Sequence, residues 1–394
     1  MVIASSTPLV RPVDVDVVIC GAGAAGLSIA VRLARLPLSV RILDRREGYG
    51  RDRTFSFFRG RSHPFEDAVA RRYRAIDVVG RDRRVARNVE ARPYETLPSD
   101  RFYESALRIL ARHDRVRLDL GVGVGAIRDL GRHAEVETDR GALRAGLVID
   151  ARGAIGTTRS RPGDVSWVQH FAGMQVEVER PIFEPAVATL MDLRVSQQDG
   201  PHFVYVLPET PRRALVEDTY FGPRPFELER YEASVRAWLD ARGAGAVSVL
   251  GRERGVLPMT TAEVDRGKGR IVRAGLCGGA AKPSTGYAFA FIQRDADAIG
   301  HALASWDRTR TPSIAAPRSA TSLFFDRVFL AFLAAHPRDA ERVFLDLFAG
   351  TSGPTMARFL SEDATPSDYA AVMAAVPSAG VLAQAVRSRD LWMR

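Results

Sequence analysis

The sequence predicts an α/β fold in which a parallel sheet begins the chain, an antiparallel sheet is inserted behind it and helices end it. Three observations predict this arrangement. A strand, a glycine-rich turn, a helix and a second strand follow one another within residues 15 to 44. Apolar stretches separated by polar turns follow between residues 189 and 220, and the last part of the chain, from about residue 287, shows helical spacing. Strands alternating with helices at the start indicate a parallel sheet.

The first element is a βαβ unit. Residues 15 to 20 form an unbroken apolar, largely β-branched stretch, residues 27 to 36 have helical spacing, and residues 40 to 43 form a second short strand that ends at Asp44. A strand, turn, helix and strand of this length place a parallel, Rossmann-type sheet at the N-terminus.

The glycines between strand and helix predict a dinucleotide site. Glycine at Gly21 permits the tight turn, at Gly23 it lets a pyrophosphate approach the backbone, and at Gly26 it lets helix and strand pack closely. Asp44 stands where a carboxylate can accept hydrogen bonds from ribose hydroxyls. FAD is favoured over NAD because the motif begins the chain and a second glycine-rich element follows far along it. The residues expected to bind the cofactor here also include Ala24 and Ala25.

The second glycine-rich element spans residues 273 to 287, after a short strand and before a helix. In many flavoproteins this position brings backbone amides against the ribityl phosphate, although those enzymes usually have an aspartate where Gly279 stands. The alternative is a plain loop between strand and helix. The cofactor-binding residues expected from this element are Gly278, Gly279, Ser284, Thr285 and Gly286.

The fold class predicted is therefore α/β, a Rossmann-type FAD-binding flavoprotein fold with an inserted antiparallel sheet for the substrate and a C-terminal helical cap. Residues 14–160 and 250–300 are expected to form the FAD-binding domain, residues 161–249 the antiparallel sheet and residues 301–394 the cap. Strands are expected at 189 to 195, 203 to 207 and 214 to 220.

An acid pair lies on the last of these strands. Adjacent side chains on a strand point to opposite faces, so one of Glu217 and Asp218 is expected to face the interior. An acid in an apolar cavity has a raised pKa, because burial disfavours the charged form, and it can then hold a proton at neutral pH and deliver it. A salt-bridged or solvated pair on an edge strand is the alternative that sequence chemistry leaves open.

Aromatic residues crowd the segment 52 to 58, which is expected to be a loop beyond the second strand. Phe55 and Phe57 either belong to the core or line a hydrophobic tunnel. The histidines do not have metal-ligand spacing, so no metal site is expected. Cys20 and Cys277 both stand in apolar or glycine-rich segments, which indicates a reducing compartment and no disulfide framework.

The charge of the chain does not indicate nucleic-acid binding. The formal net charge is +9, but lysine occurs only at Lys268 and Lys282, and the arginines are interleaved with acids along the chain.

Residues 1 to 13 lack the charged start and apolar run of a secretory signal. The uncharged stretch 369 to 386 carries Pro377 and Gly380 near its middle, so two short helices are expected there instead of a membrane span.

Several segments together resemble the lycopene β-cyclase family of carotenoid biosynthesis, in its single-chain bacterial branch. They are DVVICGAGAAGLSIA at 16 to 30, DRTFSFF at 52 to 58, VIDARG at 148 to 153, LMDLRVSQQDG at 190 to 200, FVYVLP at 203 to 208, LVEDT at 215 to 219, GVLPM at 255 to 259 and KPSTGYAFAFIQ at 282 to 293. The glycine motif is shared with many flavoproteins, whereas the aromatic segment, the acid pair and the PSTGY element together are specific.

The resemblance implies a noncovalent FAD that must be reduced, with NADPH as external reductant, and a reaction without net redox change. It places the proton donor at Glu217, with Asp218 as the second acid of the motif, and assigns Arg53 and Thr54 to the cofactor. The family often has two glutamates and a tryptophan where this chain has Asp218 and Phe55, which leaves substrate choice open. Residues expected to line the substrate are Phe55, Phe57, Tyr205 and Tyr287.

The resemblance also implies lycopene or a related linear carotenoid as substrate. Glu217 would protonate the terminal double bond of a ψ end group, the internal double bond would close a six-membered ring, and loss of a ring proton would leave a β end group. Because such a hydrocarbon dissolves in the bilayer, a cytoplasmic protein bound peripherally at the inner face of the cell membrane is expected, with the arginine-rich surface and residues 323 to 333 as candidate contacts.

Other functions on the same fold remain open at this point. They are a cyclase of another polyene or terpenoid chain, a flavin monooxygenase, an isoprenoid reductase, and a carotenoid- or FAD-binding protein without catalytic activity. The number of ends cyclised, the ring type and the oligomeric state are left open by the sequence.

Overall fold

The structure is a computed structural model that describes residues 13–153, 158–376 and 380. The expectations for the first 12 residues and for a second helix after Pro377 fall on residues outside this part of the chain. The described strands are β1 Val15–Cys20, β2 Val40–Asp44, β3 Thr54–Phe58, β4 Arg71–Tyr73, β5 Ala75–Val79, β6 Arg84–Asn88, β7 Tyr94–Pro98, β8 Val116–Leu120, β9 Val124–Asp129, β10 Ala134–Thr138, β11 Gly141–Asp150, β12 Thr158–Arg159, β13 Ser166–Val178, β14 Val187–Asp192, β15 His202–Thr210, β16 Arg213–Gly222, β17 Val247–Thr260, β18 Glu263–Val264 and β19 Ile271–Arg273.

Helices alternate with the first strands and then dominate the end of the described chain. They are α1 Ala24–Leu33, α2 Ser99–Leu110, α3 Leu228–Asp240, α4 Phe289–Ala304, α5 Ala320–Ala335, α6 Ala340–Ala349, α7 Gly353–Leu360 and α8 Pro366–Ala375. Short 3-10 turns lie at Glu66–Ala68, Gly275–Gly278 and Pro337–Asp339. The expectation of helices after residue 287 is confirmed for this part of the chain.

The first sheet has the strand order β8-β2-β1-β11-β10-β9, with β19 also paired to β11. Strand β1 lies between β2 and β11 and runs parallel to both. From Val17 to Cys20 its side chains are apolar on both faces, because helices cover one side of the sheet and other strands pack on the other. The βαβ unit predicted from the sequence is confirmed, although α1 begins at Ala24, earlier than the apolar spacing indicated.

The second sheet has the order β17-β13-β16-β15-β14-β5-β6 and is antiparallel except for the β14–β5 pair. The strands expected at 189 to 195, 203 to 207 and 214 to 220 are present as β14, β15 and β16, with shifted ends. The sheet also takes in β5 and β6, and β17 runs on to Thr260, so it extends beyond the expected segment 161–249. Alternation of apolar residues marks a strand but carries no information about its partners.

The aromatic segment expected to be a loop is strand β3, and that part of the prediction was wrong. It pairs with β7 in a three-stranded sheet of order β3-β7-β4, with Phe55 opposite Leu97. Pairing with β7 supplies the backbone hydrogen bonds that a short stretch lacks by itself. The segment thereby lies between the two larger sheets.

Helices α5 to α8 cover one face of the second sheet through a shared apolar cluster. A buried ionic network ties them to the loop before α4. Lys282 Nζ lies 2.6 Å from Asp326 on α5, and the guanidinium of Arg318 contacts the carboxylates of both Asp326 and Glu362. Within the described residues, no helix combines the length and the apolar character needed to cross a bilayer.

Candidate active site

One large cavity of about 1650 Å³ runs between the two larger sheets and the C-terminal helices. Its first end is formed by the glycine-rich turn after β1 and the end of β2. Its middle is formed by β3 and by the inner face of the second sheet, and its far end by α5 to α8. The cavity therefore has a polar, glycine-lined end and an apolar, aromatic end.

The glycine-lined end has the geometry of a backbone cradle. Gly21 has φ +102°, and a Cβ there would lie 2.7 Å from the carbonyl oxygen of Ala151. At Gly23 a Cβ would meet no protein atom within 4 Å, so the space above it is open to the cavity. Helix α1 begins immediately after Gly23 with no side chain capping its first N–H groups. Ala24 and Ala25 line the cavity as well.

Gly26 has a packing role, because a Cβ added there would lie 1.8 Å from the carbonyl oxygen of Gly21.

Asp44 lines the cavity, and its Oδ2 accepts a hydrogen bond of 2.6 Å from Ala22 N. Its Oδ1 accepts one of 2.9 Å from the Arg46 N–H. The carboxylate expected to reach a ribose thus also braces the glycine-rich turn.

The second glycine-rich element divides into two parts. Ser284, Thr285 and Gly286 line the cavity, as does Arg53 on the opposite wall. Gly278 and Gly279 are absent from the cavity wall. A Cβ at Gly278 would lie 2.3 Å from the Arg273 carbonyl oxygen, and Gly279 ends the 3-10 turn with φ +84°. The tight turn explains these two glycines, and their expected contact with a cofactor stays a prediction.

Glu217 faces the cavity from the middle of the second sheet and is only 7% exposed. It belongs to a row of residues in register across four strands, in the order Tyr205, Glu217, Gly173 and Glu253. Gly173 contributes no side chain, and a Cβ there would lie 2.6 Å from Glu217 Cγ. Glu217 and Glu253 therefore flank this gap from either side, and each carboxyl group affects the pKa of the other.

Glu253 is held from behind by strand β3. Thr54 N donates to its Oε1 and Thr54 Oγ1 to its Oε2, each at 2.9 Å. Burial raises the pKa of Glu217 well above its usual range, and the neighbouring Glu253 raises it further. Burial also raises the pKa of Glu253, but the hydrogen bonds from Glu217 and Thr54 and the charge of Arg51 oppose that rise. Burial and the neighbouring acid thus act in the same direction on the pKa of Glu217, whereas the influences on Glu253 oppose one another.

Asp218 points away from the cavity, and its assignment as a catalytic acid is corrected. Its Oδ1 lies 2.6 Å from His202 Nε2 and accepts a hydrogen bond of 2.7 Å from Ser234 Oγ. The ring of Tyr220 stacks on His202 with centroids 3.9 Å apart. These contacts form a buried polar cluster between the second sheet and α3, so Asp218 is a structural residue.

The two phenylalanines predicted to line the substrate, Phe55 and Phe57, lie in different surroundings. Phe55 lines the cavity and stacks on Phe289 with ring centroids 5.1 Å apart. Phe57 is 5% exposed, stacks on Phe289 with ring centroids 4.8 Å apart and does not line the large cavity, so its assignment to the substrate was wrong. The spacing of two residues suggested that both side chains line a tunnel. In the structure Phe55 faces the cavity, whereas Phe57 is buried in the core.

Tyr205 and Tyr287 line the cavity and share hydrogen bonds with Tyr94. The hydroxyls of Tyr94 and Tyr205 are 2.9 Å apart, and Tyr94 donates to Tyr287 over 3.3 Å. Burial raises the pKa of Tyr287 to about 12, so its hydroxyl is neutral at physiological pH. The middle of the cavity thus contains neutral hydroxyls beside the carboxyl group of Glu217, whose pKa is raised by burial.

The family model for the lycopene cyclase protein family matches residues 16–386. The chain belongs to the lycopene cyclase family. The lycopene beta-cyclase of Pseudescherichia vulneris is 29% identical to this family member over 378 residues, which cover 92% of this chain and 94% of that protein. The lycopene beta-cyclase of Pantoea ananas is 28% identical over 396 residues, covering 93% and 96%. That of Paracoccus sp. (strain N81106 / MBIC 01143) is 29% identical over 299 residues, 72% of each.

Solved structures share the fold of this lycopene cyclase family member. A geranylgeranyl bacteriochlorophyll reductase-like protein of Thermoplasma acidophilum aligns with a TM-score of 0.61 at 13% identity, covering 96% of this chain and 99% of that one. Aklavinone-11 hydroxylase, in a ternary complex with FAD and aklavinone, aligns with a TM-score of 0.57 at 17% identity over 89% and 71%. The predicted FAD-binding flavoprotein fold is confirmed.

Sequence reasoning missed several residues of the site in this lycopene cyclase family member. Glu253 stands two residues before the GVLPM segment that contributed to the family resemblance, and its position on an alternating strand was the available signal. Gly173 gave no signal, because only the cross-strand register reveals its function. Aromatic residues of the C-terminal helices that line the far end were also missed, namely Phe324, Phe325, Phe329, Phe344, Phe348 and Phe359.

One group of potential metal ligands lies outside the large cavity. Ligand atoms of His63, Glu66 and Glu95 lie within 4.8 Å of one another. Arg72 Nε contacts Glu95 at 2.8 Å, and Arg59 reaches Glu66 at 3.5 Å. Because these arginines already balance the carboxylates, we assign no metal to the group.

Proposed function

We propose that this lycopene cyclase family member binds FAD and, with the flavin reduced, closes β end rings on lycopene or a related linear carotenoid without net redox change. The observation that carries the proposal is the carboxyl group of Glu217, which is buried, with its pKa raised by that burial, in the wall of a cavity whose one end is glycine-lined and whose other end is apolar. The named relatives, the lycopene beta-cyclases, support the choice of substrate.

The glycine-lined end fits a dinucleotide. The open space above Gly23 and the uncapped start of α1 offer backbone N–H groups to a pyrophosphate. Asp44 and Arg46 stand at the end of β2, where a ribose would lie, and Arg53 faces the same cavity. A reduced flavin bound there would supply negative charge beside the middle of the cavity, which favours a positively charged intermediate. We propose NADPH as the external source of electrons.

The volume of the cavity supports two ligands. Sites for single small molecules usually measure about 300 to 1,000 Å³, whereas this cavity measures about 1650 Å³. The part beyond Glu217 is walled by leucine, valine and phenylalanine side chains of α5, α6 and α8. That chemistry suits a long hydrocarbon, which gains its binding free energy from burial of apolar surface.

Glu217 is the proposed catalytic acid. Its O–H proton goes to the terminal double bond of the ψ end group, which leaves a tertiary carbocation and a carboxylate. The internal double bond then closes the six-membered ring, and loss of a ring proton gives the β end group. Phe55 and Tyr205 present aromatic surface beside the reacting carbons, where a cation–π contact contributes about 0.5 to 2 kcal/mol.

Replacement of the acid tests this proposal. We expect Glu217→Gln to retain FAD but to lose at least about 100-fold in the rate of β-ring formation, since general acid catalysis contributes about 10² to 10⁴. Product analysis with lycopene and reduced flavin measures the rate. Glu177→Gln, an exposed acid on β13, is the matched control and is expected to cyclise normally. Cyclisation at the normal rate by Glu217→Gln refutes the assignment.

Reductant consumption distinguishes a cyclase from an oxidoreductase of the same fold. A cyclase needs only enough NADPH or dithionite to reduce its flavin once, whereas a monooxygenase or a reductase consumes reductant in proportion to product. We expect many product molecules per reduced flavin under anaerobic conditions. A ratio of one would support the oxidoreductase alternative.

We also propose that the protein collects its substrate at the inner face of the cell membrane as a peripheral protein. Met373 on α8 lines the cavity and is 53% exposed, which places a mouth of the cavity at an apolar surface position. Wild-type protein is expected to sediment with anionic liposomes at low salt, and Met373→Glu to sediment less. Protein that stays in the supernatant would overturn this part of the proposal.

A further inference from the structure

We propose that Glu253 is a positioning residue for the acid of this site: the carboxyl groups of Glu217 and Glu253 share one proton across the gap left by Gly173. Glu253 thereby keeps the proton on Glu217 until an alkene takes it. This inference rests on the proposed function, because it assigns the source of the acid's proton affinity in that same reaction.

The register of the second sheet brings the two carboxyl groups together. Glu217 on β16 and Glu253 on β17 are both opposite Gly173 of β13, one from each side. Neighbouring strands lie about 4.8 Å apart, so the two backbones are separated by roughly 10 Å. Any side chain at position 173 would fill that interval, since even a Cβ would lie 2.6 Å from Glu217 Cγ. Glycine is therefore what permits the contact between the carboxyl groups.

The two glutamates differ in their surroundings. Both oxygens of Glu253 accept hydrogen bonds from Thr54, one from the backbone N–H and one from the hydroxyl. Such donors favour the ionised form of a carboxyl group. Glu217 lines the cavity, whereas Glu253 lies behind it and is absent from the cavity wall. The ionised partner is thus fixed, and the protonated partner faces the substrate.

The polar groups around the pair are consistent with this division. Tyr205 lies opposite Glu217 on β15 and is a neutral hydroxyl, and Arg51 supplies positive charge on the side of Glu253. Two carboxyl groups in contact cannot both ionise easily, so the pair retains one proton at a pH where a single exposed glutamate has lost its own. This raises the pKa of Glu217 beyond what burial achieves alone.

The proton that the reaction consumes and the proton that it releases are both exchanged with the Glu217–Glu253 pair. Donation to the alkene leaves two carboxylates facing one carbocation, and their combined negative charge stabilises it. When the ring loses a proton, Glu217 takes it back and the pair returns to one proton. The step needs no oxidant, reductant or further base.

The pH dependence of Glu253→Gln tests the inference. Glu217 must be protonated to act, so activity falls as pH rises through its pKa. A neutral amide at position 253 removes the negative neighbour, lowers that pKa and moves the alkaline limb of the profile to lower pH. Groups in such contact interact by more than about one pK unit, so we expect a shift of at least about one pH unit. An unmoved limb overturns the inference.

Infrared titration of the FAD-loaded protein gives a readout that does not require turnover. The carboxylic acid band that disappears in Glu217→Gln is assigned to Glu217. In Glu253→Gln this band is expected to titrate at lower pH than in the wild type. Identical midpoints would overturn the inference even if the variant were inactive. Failure of the proposed function has a different result, namely normal cyclisation by Glu217→Gln.

Gly173→Ala tests the gap itself. The added methyl would force the carboxyl groups apart, so we expect a shift of the alkaline limb in the same direction as in Glu253→Gln. Gly251→Ala is the matched control on β17, because its Cβ would meet the flexible end of Gln175 at 3.1 Å. We expect the control to keep the wild-type profile. A Gly173→Ala protein that folds, binds FAD and keeps the wild-type profile would contradict the inference.

Discussion

Substitution of Gly23 separates cofactor binding from folding. A Cβ at this position would meet no protein atom within 4 Å, and the open cavity above it leaves room for the rest of a valine side chain. Its φ of −83° and ψ of −162° are accessible to any residue. The loss of a glycine N-cap costs at most about 1 kcal/mol. We therefore expect Gly23→Val to fold with nearly normal stability.

The same side chain would occupy the place of the pyrophosphate. Each backbone hydrogen bond to a charged group is worth about 1.5 to 3 kcal/mol, and 1.4 kcal/mol corresponds to tenfold in Kd. Loss of one such bond raises the Kd for FAD by about ten- to a hundredfold. Fluorescence titration of the apoprotein with FAD measures the Kd, and thermal melting of the apoprotein checks the fold.

Two further variants make the experiment decisive. Gly48→Val adds the same side chain where a Cβ also meets nothing within 4 Å but outside the cavity wall, and should bind FAD normally. Gly21→Ala should destabilise the fold itself, because its Cβ would clash with the Ala151 backbone and its φ of +102° disfavours alanine. A wild-type Kd for Gly23→Val would refute the placement of the pyrophosphate above residue 23.

Three other predictions follow from the buried polar groups. Asp218→Asn should lower thermal stability by about 1 to 3 kcal/mol through its buried contact with His202, yet keep the alkaline limb of the cyclisation profile unmoved. Asp326→Asn should cost about 3 to 5 kcal/mol in urea unfolding, because Lys282 is left as a buried cation without its main partner. Burial raises the pKa of Cys20 to about 12, so it should resist maleimide labelling in the native protein and react only on unfolding; labelling of the native thiol would contradict this.

Local patterns in the sequence were sufficient for the N-terminal unit. The strand before Gly21, the glycine turn and the strand ending at Asp44 follow from β-branched residues, backbone freedom and apolar spacing, all of which act over a few neighbouring residues. The same local logic established that Glu217 and Asp218 face opposite ways. It left open which of them faces the cavity, because that depends on which face of the sheet the C-terminal helices cover.

The segment at 52 to 58 shows why local patterns can fail. Its strand exists because β7 pairs with it, and along one face of that strand Phe55 lines the cavity whereas Phe57 lies in the core. Phe55 and Phe57 are alike in type and in spacing. Both rings also stack on Phe289, so only the tertiary packing around them distinguishes the residue that lines the cavity from the one that does not.

The sequence by itself determined the dinucleotide-type turn, the flavoprotein architecture and the strand that carries the acid. Tertiary structure alone decided that Glu253, from a different strand, meets Glu217 over Gly173 and is held there by Thr54. The physical reason is that a strand's sequence encodes the alternation of its two faces, whereas register and the meeting of faces are set by pairing between segments far apart in the chain.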